Sequence, residues 1–194
     1  MTAVRAPEAL QFTYQDYLHL PDDGKRYQII EGEVYMVPAP TPAHQTIQGN
    51  IYYLLRSFVA VRDLGRVFLA PCDVVLSNED VVQPDLLFIS RERSQIITER
   101  NIAGAPDLIV EILSPHTRKL DRILKRRLYA RYGVQEYWLV DPATRTVEIL
   151  TRKGDELVRA SLLEIEDELR SPLWGEPMGS VADVFAGLEA CRRE

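Results

Sequence analysis

Residues 107–141 read DLIVEILSPHTRKLDRILKRRLYARYGVQEYWLVD, and the fold turns on how this stretch is parsed. It opens on Asp107-Leu108-Ile109-Val110-Glu111-Ile112-Leu113, an apolar, β-branched run around one acid. Length and composition suit a strand buried on both faces. Side chains alternate along a strand, so Ile109, Glu111 and Leu113 share one face, and Leu108, Val110 and Ile112 the other. Glu111 is then a carboxylate among apolar neighbours. Ionised there, it costs several kcal/mol unless a cation or strong donors meet it. Two readings follow: a structural ion pair, or a metal ligand that needs a second acid and a base nearby.

The segment Val81-Val82-Gln83-Pro84-Asp85-Leu86-Leu87-Phe88-Ile89 offers the second acid. It reads as a strand, with Pro84 suited to an edge or bulge because it lacks an N–H. Asp85 can sit beside Glu111 if the two strands pair. Asp107 shares Glu111's face but lies four residues away, roughly 13 Å at about 3.3 Å per residue. One ion cannot bridge that gap, so Asp107 is read as a strand-start residue.

The base comes from the next element. Ser114-Pro115 ends the strand, and Leu120 to Tyr132 has helical spacing. Leu120, Leu124 and Leu128 at i, i+4 and i+8 form the expected buried stripe. Asp121, Lys125 and Tyr129 form a second stripe beside it. Asp121 and Lys125 make a surface pair worth about 0.2–0.5 kcal/mol, or Lys125 turns toward Glu111 and Asp85.

PD followed by a strand glutamate and a lysine resembles the PD-(D/E)XK nuclease superfamily, whose fold is restriction-endonuclease-like. The ordered set VVQPDLLF, LIVEILSP, D-x3-K-x3-Y and GVQEYWLVDP resembles its bacterial Uma branch, formerly a domain of unknown function, from Tyr27 to Phe185. Two positions depart from the pattern. The superfamily lysine usually follows the acid by two residues, where this chain has Leu113; Lys125 matches the lysine of the Uma branch. Gln28 stands where relatives usually show Glu, in a segment resembling YEL-x-x-GE, which leaves a metal role for that segment open although Glu31 and Glu33 are close. His44 matches a histidine common in the branch.

The resemblance implies a metal-dependent DNA endonuclease. Asp85, Glu111 and the carbonyl of Ile112 would hold Mg²⁺, with Mn²⁺ as a substitute, since this hard ion takes oxygen ligands. The metal would polarise the phosphoryl oxygen and activate the attacking water. Lys125 would orient that water or stabilise charge on phosphate. Tyr129, Asp121, Glu31, Glu33 and His44 are accessory candidates. A non-cleaving nucleic-acid- or protein-binding module with the same fold is the rival reading.

Composition bounds these expectations. A chain of 194 residues fits one domain. No apolar run approaches the roughly 20 residues of a membrane span, and MTAVRAPEALQF has no secretory core. Cys72 and Cys191 have no metal-ligand spacing, which fits a reduced, cytoplasmic chain. There is no G-x-G-x-x-G or G-K-S, so no nucleotide cofactor is expected. Ser114 lacks the flanking glycines of a nucleophile elbow.

The net charge of −6 argues against a generic nucleic-acid binder. Between His116 and Arg131, however, seven cations face Asp121 alone. Arg118, Lys119, Arg122 and Arg126 are candidate phosphate contacts, or simply a solvated helix face. Cutting both DNA strands takes two sites, so a homodimer is expected.

The remaining elements follow in order. Residues 1–11 read as a loose arm, and Thr13 caps a short helix, Tyr14 to Leu20, with Asp16 completing a capping box. Tyr27–Glu31 and Glu33–Pro38 are strands with a bend or bulge at Gly32; in a continuous run Glu31 and Glu33 share a face. Thr41 and Pro42 start a helix from Ala43 to Val61, whose first turn, with His44, can attract phosphate. Val67–Leu76, Val81–Ile89, Glu136–Val140, Thr146–Thr151 and Leu157–Ala160 are strands, and Leu169–Leu188 packs back with a short helix at 181–185. The order suggests a mixed α/β (α+β) architecture: a central mixed β-sheet flanked by helices, with extra N-terminal and C-terminal hairpins.

Overall fold

The computed structural model describes residues 10–188 except Asp22. Cys191 and residues 1–9 of the expected arm lie outside the described residues. The elements run α1 (Tyr14–Tyr17), β1 (Arg26–Ile30), β2 (Glu33–Val37), α2 (Pro42–Arg62), β3 (Gly65–Leu69), β4 (Val74–Ser77), β5 (Asp80–Val82) and β6 (Leu86–Ser90). A 3₁₀ turn (Arg91–Ile96), β7 (Ile102–Ala103) and β8 (Leu108–Ile112) follow. Then come a π-helical segment (Leu120–Lys125), α3 (Arg126–Tyr132), β9 (Glu136–Asp141), β10 (Thr146–Lys153), β11 (Glu156–Leu163), β12 (Glu168–Arg170), β13 (Pro177–Ser180) and α4 (Val181–Val184).

Two sheets share the work. The larger has the order β11-β10-β9-β8-β6-β3 and is mixed: β8 and β9 are parallel and the other neighbours antiparallel. The second has the order β2-β1-β5-β4-β7. The N-terminal hairpin is therefore not an appendage but the edge of this second sheet. Its turn is two residues, Glu31 and Gly32, both at positive φ (53° and 75°), with Ile30 opposite Glu33. That is the signature of a tight hairpin turn whose twist matches its strands, and it replaces the expected bend or bulge.

The larger sheet separates two cores. On one face Leu108, Val110 and Ile112 meet Ile47, Ile51, Leu55 and Val59 of α2, together with Leu169, Val181, Val184 and Phe185 of the returning tail. On the other, Ile109 and Leu113 meet Leu128, Tyr129 and Ala130 of α3 and Ile30, Val74 and Val82 of the second sheet. The face assignment read from β8's alternation holds, and Glu111 projects to the α3 side with Ile109 and Leu113.

Two expected strands are each split. Val81–Ile89 is β5 and β6 in different sheets, with Gln83-Pro84-Asp85 as the crossing. Pro84 has no N–H to keep in a ladder, so the chain leaves the second sheet there at little cost. Val67–Leu76 divides likewise into β3 and β4 around Pro71.

Candidate active site

Asp85 sits where the two sheets part. The last pair between β6 and β8 is Leu86 with Val110. Beyond it β8 runs on without that neighbour, and the Ile112 N–H donates to Asp85 Oδ2 instead (2.8 Å). The side chain thus satisfies the backbone donor that the departing strand left behind. The same oxygen meets His44 Nε2 at 3.1 Å. His44 is delivered by the first turn of α2, where Thr41 accepts from the His44 N–H (3.2 Å) and Pro42 occupies the first helical position. Asp85's backbone carbonyl is also held, by Gln48 Nε2 (2.8 Å) and the Ala70 N–H (2.9 Å).

Glu111 lies one residue before this anchor on β8 and is 3% exposed. Lys125 Nζ and the Tyr129 hydroxyl both donate to its Oε1, each at 2.8 Å. Lys125, also 3% exposed, lies 3.3 Å from Asp121 Oδ1, close enough for an ion pair although not aligned as a hydrogen bond. The stripe Asp121, Lys125, Tyr129 is thus the buried one, while Leu120 and Leu124 are only half-buried. The expected burial holds at Leu128 and is reversed in the turns before it, because the carboxylates on β8 and beside it offset the amine's desolvation.

The electrostatics follow from that burial. Desolvation raises Glu111 well above the ordinary carboxylate range, with Asp121 and Asp85 adding to the rise against the pull of Lys125. Burial works against the Lys125 charge, yet Glu111 and Asp121 outweigh it and hold the ammonium above its usual value. Lys125 is therefore a fixed cation and a donor, not a base.

These groups line one cavity of about 490 Å³, bounded by Gln28 and Arg26 of β1, His44, Gln83, Asp85, β8's end, the Ser114–Thr117 loop and the π-helical segment. Four buried side-chain polar atoms lack a hydrogen-bond partner among the described residues: Gln28 Oε1, His44 Nδ1, Gln83 Oε1 and Asp121 Oδ1. All four residues line this cavity. An unmet buried polar atom costs about 1–3 kcal/mol, so their concentration here marks a place completed by water or a ligand.

Asp85, Glu111 and Asp121 converge on the wall with Lys125 buried among them, an acidic cluster that a divalent cation would offset. Among the described residues no three His, Cys, Asp or Glu side chains form a ready cage. The donor set would suit a hard ion that keeps several waters: Asp85, Glu111 and the Ile112 carbonyl could supply oxygens, and substrate would complete the shell.

Other expected site residues lie elsewhere. Glu31 is in the hairpin turn and pairs with Arg127 and Arg131. Glu33 is exposed and accepts from Tyr35. Neither reaches the cavity, because the tight turn ends the shared-face argument. Arg118, Lys119, Arg122 and Arg126 are also absent from its wall. Arg118 pairs with Asp141 (2.8 Å), Arg122 with Glu148 (2.7 Å), and Arg126 donates to the Leu157 carbonyl (2.6 Å). The basic segment is largely neutralised by β9–β11, while Lys119 is exposed. Tyr129 supports Glu111 from behind, without lining the cavity. Gln48 of α2 and Gln83 and His116 of loops join the site unannounced; single polar residues scattered over a helix and loops make no pattern of their own.

None of the curated proteins matches the chain. Among solved structures it is similar to a protein from Anabaena variabilis ATCC 29413 described as a putative nuclease belonging to DUF820. The two are 25% identical, the match covers 90% of this chain and 98% of that one, and the TM-score is 0.75. The architecture is thus the restriction-endonuclease-like one expected from the sequence. The sequence pattern of the Uma2 family, described as "Putative restriction endonuclease", matches residues 14–175, and the chain belongs to that family.

Proposed function

We propose that the protein is a nuclease that hydrolyses phosphodiester bonds in DNA with Mg²⁺ or Mn²⁺ at the Asp85–Glu111 end of the cavity. The observation that carries this is the convergence of three buried carboxylates, Asp85, Glu111 and Asp121, with the buried Lys125 on one cavity. A divalent cation bound there would supply Lewis acidity toward phosphate. Asp85 is held rigid by the Ile112 N–H and His44. Tyr129 and Lys125 fix the Glu111 carboxylate from one side. Lys125, pinned as a cation, offers electrostatic stabilisation to a phosphate and cannot accept a proton. Water attack forms one P–O bond and breaks the bond to the leaving sugar oxygen, which takes up a proton. Arg26 on the cavity wall and exposed Lys119 beyond it are the cations available to a DNA backbone, with His116 on the wall as a further polar contact. Two copies would serve the two strands of a duplex.

Family membership supports the nuclease reading. A plasmid-nicking assay with Mg²⁺ or Mn²⁺, run beside calorimetric titration of each ion, tests it. Wild type should nick and bind the ion, and Glu111→Ala should do neither while melting cooperatively. DNA binding without ion binding or nicking would favour the non-cleaving module instead.

A further inference from the structure

We infer that Gln28 is a positioning residue that holds the attacking water from the β1 wall of the cavity; this rests on the hydrolytic reading above. Gln28 is 1% exposed, and no hydrogen bond among the described residues engages its amide. Its Oε1 is buried and unpartnered while the residue lines the cavity. It comes from a rigid strand, since β1 is paired on both sides and its neighbours Ile29 and Ile30 are wholly buried.

One oxygen of each acid proposed for the metal is already engaged, and the unpartnered Asp121 Oδ1 lies 3.3 Å from the Lys125 ammonium. Asp85 Oδ2 meets both the Ile112 N–H and His44, and Glu111 Oε1 takes Lys125 and Tyr129. A water that presents a lone pair to phosphorus needs acceptors for its hydrogens. Lys125 has none to offer. Gln83 also has an unpartnered Oε1, but its Nε2 is tied to Asp73 (2.7 Å) and Tyr17 (3.1 Å), so its amide cannot turn. Gln28's amide is untethered and neutral, and it can accept from water without adding to the cavity's charge. A glutamine that orients a nucleophilic water is established physical chemistry for phosphoryl transfer.

The test compares Gln28→Met, which removes the carbonyl at similar volume, with Gln28→Glu, which keeps an acceptor. Nicking kinetics, Mn²⁺ calorimetry and thermal melts are measured on the full chain. Gln28→Met should lower kcat about 10²-fold. Its KM and Mn²⁺ affinity should stay within about twofold of wild type. Its melting temperature should not fall, because an unmet amide has left the core. Gln28→Glu should recover most of the lost kcat. Equal kcat in wild type and Gln28→Met overturns the inference alone, and so does a loss that tracks a lowered melting temperature. A wild type that neither nicks nor binds Mn²⁺ overturns the hydrolytic reading and this inference with it.

Discussion

Lys125 shows how a buried charge is tolerated only as part of a set. It is almost fully enclosed and faces both Glu111 and Asp121. Lys125→Ala leaves two buried acids without their cation, which should destabilise the fold by about 3–5 kcal/mol. The sequence alone suggests that this variant keeps its fold; burial argues otherwise. Asp85→Asn is the cleaner probe, since its carbonyl can still accept from Ile112. It should abolish nicking with a melting temperature close to wild type, and a normal nicking rate would remove Asp85 from the chemistry. Glu136 is a further buried carboxylate, outside the cavity. It accepts from Trp138 Nε1 (2.5 Å), Ser171 Oγ and the Leu173 N–H (both 3.0 Å). Burial raises it to about 7 from 4.5 despite those donors. The folded chain then binds this proton more tightly than the unfolded one. Its contribution is full below about pH 4.5 and is lost as pH rises to 7, by at most about 3 kcal/mol. Urea unfolding at pH 5 and pH 8 should show a larger loss of stability with pH in wild type than in Glu136→Gln, the remainder coming from Glu111; identical slopes would exclude Glu136 as a source.

At the scale of elements, two short features aim the site. Thr41 caps α2 and thereby places His44 against Asp85. Thr41→Ala should cost about 0.5–2 kcal/mol and should reduce nicking by loosening the first turn, read together from melts and rates. Gly65 begins β3 at φ 151°, and a Cβ there would meet the Ile89 carbonyl oxygen at 2.1 Å. Gly65→Ala should destabilise by more than about 1 kcal/mol, because backbone rather than a flexible side chain must move. An unchanged denaturation midpoint would count against this close approach.

Across the whole molecule, the tail closes the α2 side of the sheet. Leu169, Val181 and Val184 are wholly buried, and Trp174 packs edge-on to Phe88 at 5.0 Å. Leu169→Ala should lose about 2–5 kcal/mol in urea melts, and an unchanged midpoint would count against this role of the tail. Among the described residues no helix is long and apolar enough to cross a membrane.

Much of this was legible in the chain. The alternation of residues 107–113 assigned both faces of β8, and the capping pattern at Thr41-Pro42 located the start of α2, because both depend on local periodicity and backbone chemistry. The ordered motifs also carried the family. Tertiary structure decided the rest. Which of two i, i+4 stripes is buried depends on partners distant in sequence: Lys125 is enclosed because acids await it, and Arg122 is spent because Glu148 does. The split at Pro84 and the tight turn at Glu31-Gly32 set which acids share a cavity, through pairing between strands that no local pattern encodes.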